Sequence, residues 1–411
     1  MKRAAILGLA IVAVLGGLGL GMLAATASGP GASLPTGSGN VAANRSAETS
    51  SGPAETPRPT LPASPSASAV ASGSAPPSVA PPPTPPPAPS LVPAPLTGRL
   101  VSPAAARLHP IAVMIDDQSA ARPQSGFTDA SVVWQAPAEG GIPRYMLVFQ
   151  ERIPKVVGPV RSSRYYYIAW AAELKALYAH AGGSPQALAT LRAQGNGQLV
   201  WNADEFRWGG SFHRVGAPKF APHNLYTSGA KLRGIAKTVG AKDGPIKAPW
   251  AFARDAALGW RPVGGRILVS YQANTIRYDY DRRTNTYLRS VTGFKKQIDE
   301  TTKRRVAPKN VIVMQVRFGP LNDGHPNKKR LEADIIGSGP AWISTNGITV
   351  KGTWKKASLT GPTRFFGRDG KPVVLTVGQT FIQVMKTTDA IAFTAGKPAP
   401  PDPKPEGNLP L

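Results

Sequence analysis

Between residues 28 and 98 the chain offers almost nothing that a core could bury. The segment is built from Pro, Ser, Ala, Gly and Thr, with a run at residues 81–87 that reads PPPTPPP, and only Arg45, Glu48, Glu55 and Arg58 are charged. Ordering a residue costs on the order of 1–2 kcal/mol of backbone entropy, and a stretch without large apolar side chains has nothing to offset it. It is expected to be a disordered, partly polyproline II spacer. Whatever folds must lie after it.

What precedes the spacer says where the chain goes. Met1-Lys2-Arg3 opens onto an uncharged apolar run from Ala4 to Ala25. The basic flank marks a cytoplasmic side, and the run is about long enough to cross a bilayer. It ends in Ala25-Thr26-Ala27, a pattern suited to signal peptidase. Residues 1–27 therefore read as a signal peptide or as an N-terminal membrane anchor, and either one exports everything beyond residue 28. The expected location is extracytoplasmic: membrane-anchored or secreted to the cell envelope. The chain has no cysteine, which removes thiol-linked lipid, disulfides and thiolate chemistry.

The net charge is +25, and setting aside Lys2 and Arg3 leaves about +23 on the residues after the neutral spacer. In the cytosol such a balance would suggest nucleic acid. Outside the membrane it points instead to an anionic envelope component, a lipid head group or wall polymer, with no specific nucleic acid and no determined oligomeric state. A generic basic surface accounts for the charge equally well.

The remainder predicts an α+β protein: a mixed α/β domain over residues 99–243, then a mostly antiparallel β domain over 264–388, with a loose tail over 389–411. Ile111–Ile115 is a continuous apolar run closed by Asp116-Asp117, as suits a buried strand. Residues 130–134 and 145–149 read as two more strands. Apolar residues at Tyr165, Ile168, Ala169, Ala172 and Ala176 have helical spacing over 164–178. Ser184 and Pro185 suit the cap and first position of a second helix. Further on, residues 266–271 and 275–280 alternate with period two, and Asn346-Gly347 and Asp369-Gly370 are hairpin signals.

Polar residues gather at the predicted strand ends and loop starts of the first domain: Asp116, Asp117, Glu139, Arg144, Arg161, Arg164, His180, Ser184, His223 and Asn224. In open α/β sheets, ligands bind at such edges. Arg161 and Arg164 sit in Gly158-Pro-Val-Arg-Ser-Ser-Arg164 ahead of a helix, where the dipole disfavours cations by up to about 1 kcal/mol. A bound phosphate or carboxylate, with Arg144 as a third donor, would reverse that sign. A salt-bridge cluster with Asp116, Asp117 or Glu139 explains the same residues. His180 and Ser184 read either as ligand contacts or as a strand-closing histidine and a helix cap. Ser162 or Ser163 is expected to cap the helix, and Tyr165-Tyr-Tyr167 to pack. Trp342, Trp354, Lys355, Lys356 and Arg364 read either as a surface for glycan or anionic polymer or, more plainly, as an outward basic strand edge. There is no Gly-x-Ser-x-Gly elbow, and five histidines without cysteine show no zinc spacing. No catalytic residue, metal or cofactor is assigned.

Several separated motifs occur in an order that resembles the YerB-like family of exported bacterial proteins. They include Ala112-Val-Met-Ile-Asp116, Ala121-Arg-Pro-Gln-Ser-Gly126, Glu139-Gly-Gly-Ile-Pro-Arg144, Gly158–Arg164, His180-Ala-Gly-Gly-Ser-Pro185 and Ala221-Pro-His-Asn-Leu-Tyr226. In the second domain, Tyr278-Asp-Tyr280, Tyr287-Leu-Arg289, Asn310-Val-Ile-Val313 and Gly337-Ser-Gly339 also fit. The resemblance covers most of residues 108–386 and implies a two-domain envelope protein. Three departures stand out. The anchoring cysteine is missing, Asp117 stands where an asparagine is expected, and Phe294-Lys-Lys-Gln-Ile-Asp299 lacks an expected histidine. Two function classes follow: a binding or scaffolding module with an Arg-lined anion cleft, or an envelope enzyme acting on phosphorylated or acidic glycans.

Overall fold

The computed structural model describes residues 90–399. The leader, most of the spacer and the end of the tail lie outside the described residues, and with them the expectations of signal, anchor and disorder. Among the described residues no helix is long and apolar enough to cross a membrane.

Three strands open the core: β1 (Ile111–Asp116), β2 (Val132–Pro137) and β3 (Pro143–Phe149). They are covered on both faces, so their sequences run apolar without alternating. Then come α1 (Tyr165–Ala172), β4 (Leu177–His180), α2 (Pro185–Gln194), β5 (Trp201–Asp204) and α3 (Gly229–Val239). The second half supplies β6 (Arg266–Ser270), β7 (Thr275–Asp281), β8 (Thr286–Val291), β9 (Lys295–Lys296) and β10 (Asn310–Val316). It ends with β11 (Gly337–Thr345), β12 (Ile348–Lys356), β13 (Arg364–Phe366), β14 (Thr380–Lys386) and β15 (Ala390–Thr394).

Strands of both halves form one ten-stranded mixed sheet, in the order β13-β12-β11-β10-β14-β2-β3-β1-β4-β5. The seam is the parallel pair β14 and β2, with Thr380 opposite Val132 and Gln383 opposite Gln135. A five-stranded antiparallel sheet, β9-β8-β7-β6-β15, packs on one face. There Ile276, Tyr278 and Phe381 share a core with Phe127, Tyr145 and Leu232 of α3. The other face carries α1 and α2, with Trp170 of α1 stacked on Trp134 at 4.7 Å. In β7 burial alternates residue by residue, as a strand with one covered face requires.

Four local expectations change. Order begins before residue 99, because Val92–Pro93 pairs with Leu100–Val101 and Leu96 is buried. At the other end β15 pairs with β6, so the segment from residue 390 is a strand rather than a loose tail. The helix at 164–178 stops at Ala172: Lys175 turns at φ 50°, and Tyr178 enters β4, which pairs with β1. Strand pairing there overrides a helical spacing that continues to Ala176. Finally, α1 has Arg164 at its N-cap with no side-chain cap, and the Ser163 hydroxyl instead meets the Tyr178 hydroxyl at 2.9 Å.

Lys355 is exposed, but Lys356 points inward. Its side chain is fully buried, with Nζ 2.7 Å from Glu173 Oε1. Glu173 also accepts from Thr363 N at 3.0 Å and Thr363 Oγ1 at 2.6 Å, tying the end of α1 to the far half of the chain. The β11–β12 hairpin turns through Asn346 (φ 50°) and Gly347 (φ 78°), as Asn-Gly favours. A Cβ at Gly347 would run into the Tyr280 ring. Gly347→Ala is expected to lose more than about 1 kcal/mol of stability in chemical denaturation.

Candidate functional site

The carboxyl ends of β1, β2, β4 and β5 meet the amino end of β3 along one edge of the large sheet. Asp116 ends β1, and Arg144 of β3 is its cross-strand partner. The loop at 158–164 is hydrogen-bonded across this edge. Asp116 N donates to Pro159 O (3.0 Å), Arg161 N to Met114 O (2.9 Å) and Ser163 N to Gly182 O (2.9 Å). Backbone pairing therefore places both arginines of the motif at the strand ends.

The two arginines are used differently. Arg164 is buried; one terminal nitrogen donates to Ser163 O and the other pairs with Glu139 Oε1. Arg144 donates to Ser162 O at 2.8 Å and to Glu139 Oε2 at 3.3 Å. Burial pushes the Arg144 guanidinium down to about 10, with Arg164 adding to the effect. Burial would raise the Glu139 carboxyl, but Arg144 and Arg164 outweigh it and hold the group below its ordinary range. The nearest approach of Arg161 to Asp116 Oδ2 is through Nε, at 3.1 Å and without hydrogen-bond alignment. Its terminal nitrogens make no hydrogen bond among the described residues. The same Asp116 oxygen lies 2.7 Å from His223 Nδ1, while Gln118 N donates to Oδ1 at 3.0 Å. The edge thus holds three guanidiniums against the carboxylates of Asp116 and Glu139, with His223 beside them.

The other candidate residues stand apart from this surface or serve the frame. Asp117 is fully buried and accepts from Arg122 Nη2 (2.8 Å), Gln135 Nε2 (2.7 Å) and Asn274 Nδ2 (2.8 Å). Burial pushes its carboxyl up, while Arg122 and Arg289 pull it back. His180 is buried, with Nδ1 2.8 Å from Gly182 O and Nε2 2.8 Å from Asn202 Oδ1. Ser184 caps α2 by accepting from Ala187 N. Asn224 donates to Val215 O at 2.6 Å and accepts from Arg214 at 3.3 Å. Tyr166 and Tyr167 are buried, and their hydroxyls donate to Pro137 O (2.6 Å) and Arg144 O (2.5 Å), fastening α1 to the edge. Asp299 accepts from Gly126 N (3.0 Å), Thr128 N (3.1 Å), Thr301 N (3.0 Å) and Thr302 N (3.1 Å), so this acid clamps the two halves together. Among the described residues no group of three or more His, Cys, Asp or Glu could hold a metal ion.

Sequence reasoning passed over one neighbouring group. Asp204 ends β5, and Phe206 and Trp208 follow it in Asp204-Glu-Phe-Arg-Trp-Gly-Gly210, an acid and two aromatics ahead of paired glycines. Asp204 Oδ1 accepts from Gly182 N at 3.0 Å, and Phe206 lies over Gly182 with its ring largely exposed. The available signal was that dense aromatic and charged run at the end of a short strand.

Comparison with known proteins covers both halves. Residues 96–242 match the family described as "Protein of unknown function (DUF3048) N-terminal domain", and residues 267–382 match its C-terminal domain. The chain is 28% identical over 321 residues to a Bacillus subtilis (strain 168) protein named "Putative lipoprotein YerB", covering 74% of this chain and 89% of that one. The crystal structure of YerB protein from Bacillus subtilis aligns with a TM-score of 0.64 at 26% identity, over 73% of this chain and 99% of that chain.

Proposed function

The chain belongs to the DUF3048 family, whose two domains it carries in order, and from that premise and the edge geometry we propose an exported cell-envelope protein that binds or scaffolds by holding an anionic group at Arg161 and His223. The Bacillus relative is named as a lipoprotein, which supports an envelope location. This chain lacks cysteine, so its apolar leader would take the place of a lipid. The single observation that carries the binding reading is the unequal use of the arginines. Arg144 and Arg164 are spent on Glu139 and backbone carbonyls, whereas the two terminal nitrogens of Arg161 make no hydrogen bond among the described residues. Their planar fork suits a phosphate or carboxylate, and the surplus of one cation over the paired acids favours an anion.

Calorimetric titration with inorganic phosphate tests this. The wild-type protein is expected to bind, more weakly as salt screens the contact, and Arg161→Ala to weaken binding about tenfold or more. Because Arg161 is partly exposed and joined to Asp116 by one loose contact, its removal should shift stability by no more than about 0.5 kcal/mol. Equal phosphate affinity in wild type and variant would contradict the proposal.

One observation favours an enzyme instead. A carboxylate on His223 Nδ1 orients an imidazole as in a general base, and Nε2 makes no hydrogen bond among the described residues. Against it, Asp116 is shared with Arg161, Asp117 is held by three donors and Glu139 by two arginines, and among the described residues no hydroxyl is hydrogen-bonded to His223. The binding reading expects no turnover of bis(p-nitrophenyl) phosphate. Turnover that His223→Asn abolishes would establish the enzyme.

A further inference from the structure

At the outer edge of the large sheet, against β5, lies a cavity of about 630 Å³. Its wall includes Asn202, Asp204, Phe206, Arg207 and Trp208. We propose that this cavity takes a sugar ring of an acidic glycan whose anionic substituent rests on Arg161. The inference rests on the anion-binding reading above and names the class of ligand for it.

Three observations carry it. First, Asn202 and Asp204 are two apart on β5, so their side chains leave the same face of the strand. One amide atom of Asn202 is used by His180, and one carboxylate oxygen of Asp204 by Gly182 N and Phe206 N. The other amide atom and the other carboxylate oxygen make no hydrogen bond among the described residues. Adjacent sugar hydroxyls, each a donor and an acceptor, need such fixed polar partners side by side.

Second, the same cavity has an aromatic wall. Phe206, on the cavity wall, is 81% exposed, which leaves its ring open to a ligand. Trp208 presents an indole whose Nε1 is buried yet unpaired, and the Arg207 guanidinium lies 5.6 Å from its ring centroid. A sugar has one apolar C–H face for a ring and a rim of hydroxyls for an N–H. Tryptophan joins an apolar body to a single donor and so meets both. A purely electrostatic anion site would need neither feature.

Third, a short run of hydrogen bonds joins the cavity wall to the loop that carries Arg161. Asp204 holds Gly182 N at 3.0 Å, and Gly182 O in turn accepts from Ser163 N at 2.9 Å, two residues from Arg161. Arg214 also joins the two exposed loops of this rim, through Glu205 at 3.2 Å and Asn224 at 3.3 Å. A ligand on Phe206 therefore lies along the rim that leads to Arg161.

The test uses the full chain in detergent micelles, titrated with oligogalacturonate, hyaluronan octasaccharide, and oligoglutamate of matched charge as a ringless anion. At least one acidic glycan is expected to bind about tenfold tighter than oligoglutamate. Phe206→Ala should erase that preference, and because Phe206 is exposed the variant folds. Trp208→Phe, which keeps the packing but removes the N–H, should reduce the preference, and Arg161→Ala should weaken all three ligands. Equal affinities of glycans and oligoglutamate for the wild type would overturn the proposal, as would an unchanged preference in Phe206→Ala. If Phe206→Ala has no effect while Arg161→Ala still weakens every ligand, the anion site stands without the sugar. If Arg161→Ala changes nothing, the anion reading falls as well.

Discussion

Arg164→Ala should destabilise the protein by about 2–4 kcal/mol, although Arg161→Ala, three residues away, should leave stability almost unchanged. Arg164 is buried and holds Glu139 Oε1 and Ser163 O at the start of α1. Its removal leaves a mostly buried carboxylate with Arg144 alone, at 3.3 Å, and a carbonyl without its donor. Leaving a partner charge uncompensated is the larger part of such losses, and the partial exposure of Glu139 keeps the figure below that of a fully buried pair. Urea denaturation of the two alanine variants side by side measures the contrast. Equal losses in both would mean that both arginines are structural.

A larger effect is expected at the contact between the two halves of the chain. Lys356→Met should cost about 3–5 kcal/mol, because it strands Glu173 in the interior beneath β12. Lys356 is wholly enclosed, and its Nζ contacts Glu173 Oε1 at 2.7 Å and Gly361 O at 2.5 Å. Burial already pushes the Glu173 carboxyl up, and Lys356 is the chief influence opposing it. Without the lysine, the folded state would hold a proton on Glu173 that the unfolded chain releases. Stability of the variant should then fall as pH rises above the ordinary carboxylate range and recover as pH drops toward it. The double substitution Lys356→Met, Glu173→Gln should regain part of the loss, because an amide oxygen still accepts from Thr363. Equilibrium unfolding across pH checks both the size and the slope.

How much of this was legible from residues alone depended on how local each cause was. β1 and β10 are apolar runs closed by polar residues, Ser184-Pro185 is a cap followed by a helix start, and Asn346-Gly347 is a turn; each is fixed within a few residues. The joined sheet was not legible, because pairing β14 with β2 connects residues about 250 apart and leaves no trace in either strand. Nor did composition separate Lys356 from Lys355, since the direction of a strand side chain depends on which face the second layer covers. At the edge, the motif from Gly158 to Arg164 marked two arginines in need of acidic company but showed them as equivalent. What distinguishes them is the path of the loop, which carries Arg164 into the N-cap over Glu139 and leaves Arg161 outside Asp116. Phe206 and Trp208 escaped notice because they follow a four-residue strand with no alternation to flag it.

The claim on which the account turns is that Arg161 holds an anion while Arg164 does not. A crystal of the protein soaked in selenate, a tetrahedral anion with an anomalous signal, tests it directly. The account predicts an anomalous peak within hydrogen-bond distance of the Arg161 terminal nitrogens, beside His223, with Arg164 still paired to Glu139. A site empty of selenate, with the Arg161 fork turned onto a protein carboxylate, would contradict it.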